Sequence, residues 1–264
     1  MSEPTDSELS GSELNGRAAV ITGASRGIGE MAARELAAQG VSVVLAARSV
    51  DNLARIAGDI RQAGGQAEAI ACDVTRYSDL AAAVDRCQSA FGRFDIIVNN
   101  AGMIDPIALL ADSDPDDWVR VADVNYKGVY FGLRAALPAM LAQGSGVVVN
   151  VSSGAATSAL EGWSHYCSAK AAALSLTRCA YREVHDRGIR IVGLSPGTVA
   201  TEMQVSIKAS GINPVSQLDP SVHIPAEWAG KAIAWLCTDA AREFDGGDFA
   251  LRDEENRRRV GLSA

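Results

Sequence analysis

The chain has 264 residues, 48% hydrophobic and 21% charged, an ordinary globular balance and long enough to bury a sizeable core without staples. Its formal net charge of −8 argues against nonspecific attraction to nucleic acid or to an anionic membrane. No apolar run approaches the ~18 residues that a membrane span needs.

Residues 1–13 are acidic, with no basic residue and no apolar stretch, and are expected to be a disordered tail rather than a signal or transit peptide. Cys72, Cys87, Cys167, Cys179 and Cys237 are scattered and form no CxxC pair. That disfavours a zinc site or a disulfide framework and points to a reducing, cytoplasmic setting.

From residue 14 to about 252 one domain is expected, in which apolar strand-like runs alternate with Ala-rich helical patterns. A strand over 17–22 leads through a glycine-rich turn into a helix ending near 39, where Gly40 stops it. A second strand, 41–47, precedes a helix to about 63 with Ser49 at its N-cap. Strand 67–74 and helix 78–91 follow, then strand 94–99, a long helix over 116–141, strand 146–152, helix 163–185 and strand 190–195. Residues 202–224 contain Gly211, Pro214 and Pro220, break the rhythm, and read as a mobile insertion. A helix over 226–239 and a strand over 248–251 close the domain, leaving residues 253–264 as a C-terminal tail. Strands without polar alternation, linked by helices, predict a single Rossmann-type doubly wound parallel sheet with helices on both faces.

The first strand runs into Thr22-Gly23-Ala24-Ser25-Arg26-Gly27-Ile28-Gly29, directly before a helix. Glycines there let the chain turn sharply and a pyrophosphate approach closely, and the helix N-terminus offers N–H groups and a positive dipole end. The spacing is Gly-x-x-x-Gly-x-Gly. With it come Asn99-Asn100-Ala101-Gly102, Tyr166-Cys167-Ser168-Ala169-Lys170, Ser153 placed 13 residues before Tyr166, Asn125, and Pro196-Gly197-Thr198-Val199-Ala200-Thr201. In these motifs the chain resembles the classical short-chain dehydrogenase/reductase superfamily over about residues 14–240.

The resemblance implies a catalytic set of Asn125, Ser153, Tyr166 and Lys170. It also implies cofactor contacts from Gly23, Ser25, Arg26, Gly27, Ile28, Gly29, Asn99, Ala101, Gly102, Pro196, Gly197, Thr198, Val199 and Thr201, with Tyr166 and Lys170 again. Asp73 and Val74 match positions flanking the adenine, although Asp73 could equally cap the next helix. Asn125 is expected to fix a water that links Lys170 to solvent. Four residues apart on a helix, Tyr166 and Lys170 share a face. An adjacent ammonium, together with the positive nicotinamide of the oxidised cofactor, should pull the phenol pKa below its usual value near ~10, poising Tyr166 as acid and base.

The second strand ends at Ala47, where an acidic residue would accept from a ribose 2′-hydroxyl, and Arg48 follows. Arg26 and Arg48 converging on one point would suit a 2′-phosphate, so NADP(H) is the expected cofactor. The expected reaction is hydride transfer between nicotinamide and a carbonyl/secondary alcohol pair. One alternative is an NAD-dependent alcohol dehydrogenase. Another is a non-catalytic dinucleotide-binding regulatory protein, against which stands the presence of serine, tyrosine and lysine together. Met103, Ile104, Leu160, Trp163, Met203, Val205 and Ile207 should wall a mostly apolar substrate pocket. His165 is expected to have a structural or pocket-wall role rather than to transfer protons, and Trp228 and Trp235 to face the core. Partners are then a small ketone or alcohol and, by resemblance, further copies in a homodimer or homotetramer, with neither nucleic acid nor membrane.

Overall fold

The computed structural model describes residues 13–262; all but the last of the expected acidic tail, residues 1–12, lies outside them. Seven parallel strands form one sheet in the order β3-β2-β1-β4-β5-β6-β7. In chain order the elements begin β1 (Ala18–Thr22), α1 (Gly27–Ala38), β2 (Ser42–Ala47), α2 (Val50–Gln62), β3 (Ala67–Ala71), α3 (Tyr77–Phe91) and β4 (Ile96–Asn99). They continue with α4 (Pro115–Ala122), α5 (Gly128–Gln143), β5 (Gly146–Val151), α6 (Ser164–Val184) and β6 (Ile189–Ser195). The last are α7 (Glu202–Ser210), α8 (Ala226–Leu236), β7 (Asp248–Ala250) and α9 (Glu254–Arg259).

Alternation along the strands feeds two cores. Ala19 and Ile21 of β1, with Val43 and Leu45 of β2, meet Leu36, Leu53, Ile56, Ile233 and Leu236 from α1, α2 and α8. Val20 and Val44 turn to the other face, against Leu80, Val84, Leu133, Met140 and Ala173 from α3, α5 and α6. Both faces are dry, which is why the strands show no polar period. Trp228 and Trp235 pack against the first core, as expected.

Several boundaries differ from the sequence reading. Strand β3 ends at Ala71 because Asp73 Oδ1 accepts from the Thr75 N–H at 3.0 Å and from its hydroxyl at 2.8 Å, turning the chain before α3. Asp73 shapes that turn and does not cap α3, whose N-cap position is Arg76. Ser49 occupies the N-cap of α2, but its side chain makes no capping bond. The expected long helix over 116–141 is α4 and α5 joined by a π-helical segment, Asp123–Lys127. Residues 202–224 carry α7 and two 3₁₀ turns, and Asn213 and Ser216 are buried. Asn213 Oδ1 accepts from the Val215 and Ser216 N–H groups while its Nδ2 donates to Glu161 O, so this segment has its own polar anchor.

The C-terminal residues return to the domain. Asn256 donates to Ala250 O at 3.0 Å, the Arg259 guanidinium lies over the Phe244 ring, and Leu262 is buried in the first core. Among the described residues no helix is long and apolar enough to cross a membrane.

Candidate active site

The carboxyl ends of β1, β4, β5 and β6 converge, as the switch in strand order between β1 and β4 requires. Gly23 (φ +63°) and Gly27 (φ +57°) hold the turn after β1 in a conformation that side chains resist. At Gly29 a Cβ would lie 2.4 Å from Gly23 O and 2.5 Å from Asn100 Nδ2. Asn100 itself was not singled out by sequence. Its Nδ2 donates to Thr22 O at 2.9 Å, and the Thr22 hydroxyl accepts from the N–H groups of Asn100 and Ala101. These bonds staple the glycine turn to the end of β4, and the doubled asparagine was the available signal. Asn99, expected at the cofactor, turns its side chain inward and donates to Asn150 Oδ1 at 2.8 Å. A cradle of small residues facing a helix N-terminus fits a dinucleotide pyrophosphate.

Thr201 closes over this cradle, its methyl 3.3 Å from where a Cβ on Gly27 would stand. The next residue, Glu202, forms an ion pair with Arg26 across the cradle, with 70% and 69% of the two side chains exposed. Arg26 is therefore not directed at Arg48. Against burial, the Thr75 N–H and hydroxyl hold the Asp73 carboxyl below its usual range, with a smaller contribution from Arg48, which is exposed beyond Ala47.

Ser153, Tyr166 and Lys170 gather at the ends of β5 and α6. Ser153 Oγ accepts from the Ala155 N–H at 3.1 Å, fixing its rotamer as the cap of a short 3₁₀ turn. Lys170 Nζ donates to Val151 O at 2.8 Å and lies 5.7 Å from the centre of the Tyr166 ring. Burial pushes the phenol pKa up, opposed by the Ser153 hydroxyl. The expected lowering calls on the ammonium together with the positive nicotinamide of the oxidised cofactor; in the protein alone burial prevails. Burial also depresses Lys170 to about 8, while Asp248 acts to raise it.

Asn125 is fully buried in the π segment. Its Oδ1 accepts from Met103 N at 3.1 Å and its Nδ2 donates to Met103 O at 2.6 Å, so the amide anchors the chain after β4. Gly102 beside it allows this approach, since a Cβ there would meet Asn125 Oδ1 at 2.9 Å. A π bulge at such a place is a recurrent way to aim one side chain inward.

In front of Tyr166, Ile104, Ala155, Trp163 and Ile207 form a small apolar cluster, edged by Leu160 and Met203. The Trp163 ring meets Tyr166 edge to face at 5.7 Å. Val205, expected in this wall, is 70% exposed and outside it. His165 is buried with Nε2 2.7 Å from Pro106 O, a structural placement as expected.

A family model described as short chain dehydrogenase matches residues 17–211. The chain belongs to the short-chain dehydrogenase family, and is an oxidoreductase of alcohol and carbonyl groups that works with a nicotinamide dinucleotide. It is 31% identical to a cyclohexanol dehydrogenase of Acinetobacter sp. (strain SE19), the match covering 92% of this chain and 96% of that one. It is 36% identical to a cis-4-hydroxycyclohexanecarboxylate dehydrogenase of Sinomonas cyclohexanicum, covering 89% and 94%. Among solved structures, an NAD+-bound xylitol dehydrogenase superposes with a TM-score of 0.84 at 25% identity, covering 90% of this chain and 98% of that one.

Proposed function

We propose that the chain is an NADP(H)-dependent carbonyl reductase/alcohol dehydrogenase for mainly apolar cyclic ketones and secondary alcohols, with Tyr166 as general acid and base. The observation that carries the reaction is Tyr166 buried between the Ser153 hydroxyl and the Lys170 ammonium, with an apolar cluster in front of it. The nicotinamide, when bound, gives or takes the hydride. Tyr166 gives its phenolic proton to the carbonyl oxygen as that oxygen becomes an alkoxide, and takes it back in alcohol oxidation. Ser153 donates a hydrogen bond to the same oxygen, where charge builds up. Lys170 favours the phenolate and holds the nicotinamide ribose. Asn125 acts by anchoring Met103, which fixes the start of the pocket wall.

The ring class of substrate is supported by the lining of Ile104, Leu160, Trp163 and Met203, and by the two relatives named for cyclohexane-ring alcohols. Free cysteines throughout agree with a reducing compartment such as the cytoplasm. Exposed Val119, Tyr126 and Tyr130 on α4, the π segment and α5 support self-association into a dimer or tetramer.

NADP(H) is favoured by Ala47, which can accept nothing from a 2′-hydroxyl, and by Arg48 next to it. An exposed ion pair is weak, so Arg26 can exchange Glu202 for a 2′-phosphate. That same pair favours the second reading, NAD(H), in which Arg26 stays with Glu202. Fluorescence titration with NADPH and NADH decides between them. The proposal expects NADPH to bind at least about tenfold tighter, a preference lost in Arg48→Ala. Equal or tighter NADH binding would establish the second reading.

A further inference from the structure

Behind the catalytic side chains stands a carboxylate that the scheme above does not use. Asp248 of β7 pairs with Gly193 of β6, and Gly193 pairs with Asn150 of β5. Residues two apart on a strand share a face, so Ser152 and Ser195 lie on the same side as Asn150, Gly193 and Asp248. Helix α6 covers that side: Asn150 Nδ2 donates to Thr177 Oγ1 at 2.9 Å, and Lys170 reaches Val151 O.

Ser195 Oγ donates to Asp248 Oδ2 at 2.6 Å. Asp248 Oδ1 and Ser152 Oγ are both sealed from solvent and make no hydrogen bond of normal length, although the Ser152 hydroxyl lies close enough to act on the carboxylate. A Cβ at position 193 would come within 2.6 Å of Oδ1. The missing side chain of Gly193 therefore gives the carboxylate room to lie over β6, toward β5 and α6. A buried carboxylate is costly unless hydroxyls and an opposite charge face it. Burial pushes the Asp248 carboxyl up, and it is drawn back by the Ser195 and Ser152 hydroxyls and then by Arg178 and Lys170, both from α6; Asp248 is the charge that acts on Lys170. Tyr166 is the other titratable group beside that lysine.

We propose that Asp248 is a positioning residue for Lys170: its carboxylate, oriented by Ser195 and admitted by Gly193, supplies the buried negative charge that keeps the ammonium protonated beside Tyr166. The assignment rests on the roles given to Tyr166 and Lys170 above. Ser152 and Ser195 then serve as the polar floor between the carboxylate and the lysine. Removing the charge leaves burial unopposed, and the ammonium is lost at a lower pH.

The chain has four lysines, Lys127, Lys170, Lys208 and Lys231, so protein carrying ¹³C at the lysine Cε gives few signals, and Lys170→Arg assigns the one of interest. The cofactor-free protein is titrated by NMR as the native chain, as Asp248→Asn and as Asp248→Ser; the serine variant gives the same reading if the asparagine variant does not fold. The Lys170 midpoint is expected to fall by roughly half a pH unit or more in either variant, with the other three lysines unmoved. The pH above which carbonyl reduction is lost should fall with it. An unchanged Lys170 midpoint overturns the proposal, and so does a loss of turnover equal at every pH, which a merely structural residue would give. Because the titration needs neither cofactor nor turnover, failure of the catalytic roles, read from Tyr166→Phe, is seen separately.

Discussion

The Lys170 ammonium donates to the main-chain carbonyl of Val151 at 2.8 Å, and the lysine is 4% exposed. Its folded-state pKa, about 8, lies below the ordinary 10.5 because burial disfavours the charge. Between those values the unfolded chain binds more protons than the folded one, so this residue makes stability rise with pH across that window. Lys170→Met removes the penalty but leaves Val151 O unpaired. We expect the variant to be inactive yet more stable by roughly 1–2 kcal/mol at neutral pH, an advantage that shrinks toward pH ~10. Urea unfolding at the two pH values checks it; equal or lower stability at neutral pH would contradict the burial account. In the native enzyme, carbonyl reduction should hold steady at neutral pH and decline as the pH passes about 8.

Gly29→Ala tests the cradle. The added methyl would sit 2.4 Å from Gly23 O, and neither that carbonyl nor Asn100 can retreat without opening the staple to Thr22. Dinucleotide affinity should fall by about tenfold or more, with a smaller loss of thermal stability. Unchanged affinity would mean that the turn does not carry the pyrophosphate.

Arg190 and Asp245 form a bidentate pair at the far end of the sheet, with side chains 6% and 7% exposed, and Arg190 also donates to Thr238 O at 2.7 Å. Arg190→Met leaves a buried, unpaired carboxylate and should cost about 3–5 kcal/mol in chemical unfolding. The double variant Arg190→Met with Asp245→Leu should recover much of that loss. No recovery would show that the arginine matters through Thr238 rather than through the ion pair.

Much of this architecture is legible in the sequence. Strands such as 17–22 and 146–152 carry no polar period, which only a sheet covered on both faces explains, and the glycine turn falls where β1 meets α1. What stayed hidden depends on contacts distant in sequence. The π segment at Asp123–Lys127 has no breaker residue to announce it, and Asn125 turns inward to bond Met103, 22 positions away. Nothing local marks Glu202, whose pairing with Arg26 depends on where α7 begins. Helical spacing reveals that Tyr166 and Lys170 are close, but not how deeply Tyr166 is buried or that burial pushes its phenol up. Asp248 gave no local sign either, because its burial depends on an empty position, Gly193, on another strand.

The central claim is that Tyr166 handles the proton in a nicotinamide-linked carbonyl reduction. The most direct test is the consumption of NADPH by the native chain and by Tyr166→Phe with a panel of cyclic ketones, alongside NADPH binding by both. The account predicts turnover by the native chain and a loss of at least about a hundredfold in the variant, consistent with removing a general acid, while NADPH affinity stays nearly equal. Turnover by Tyr166→Phe at a rate comparable to the native chain would contradict it.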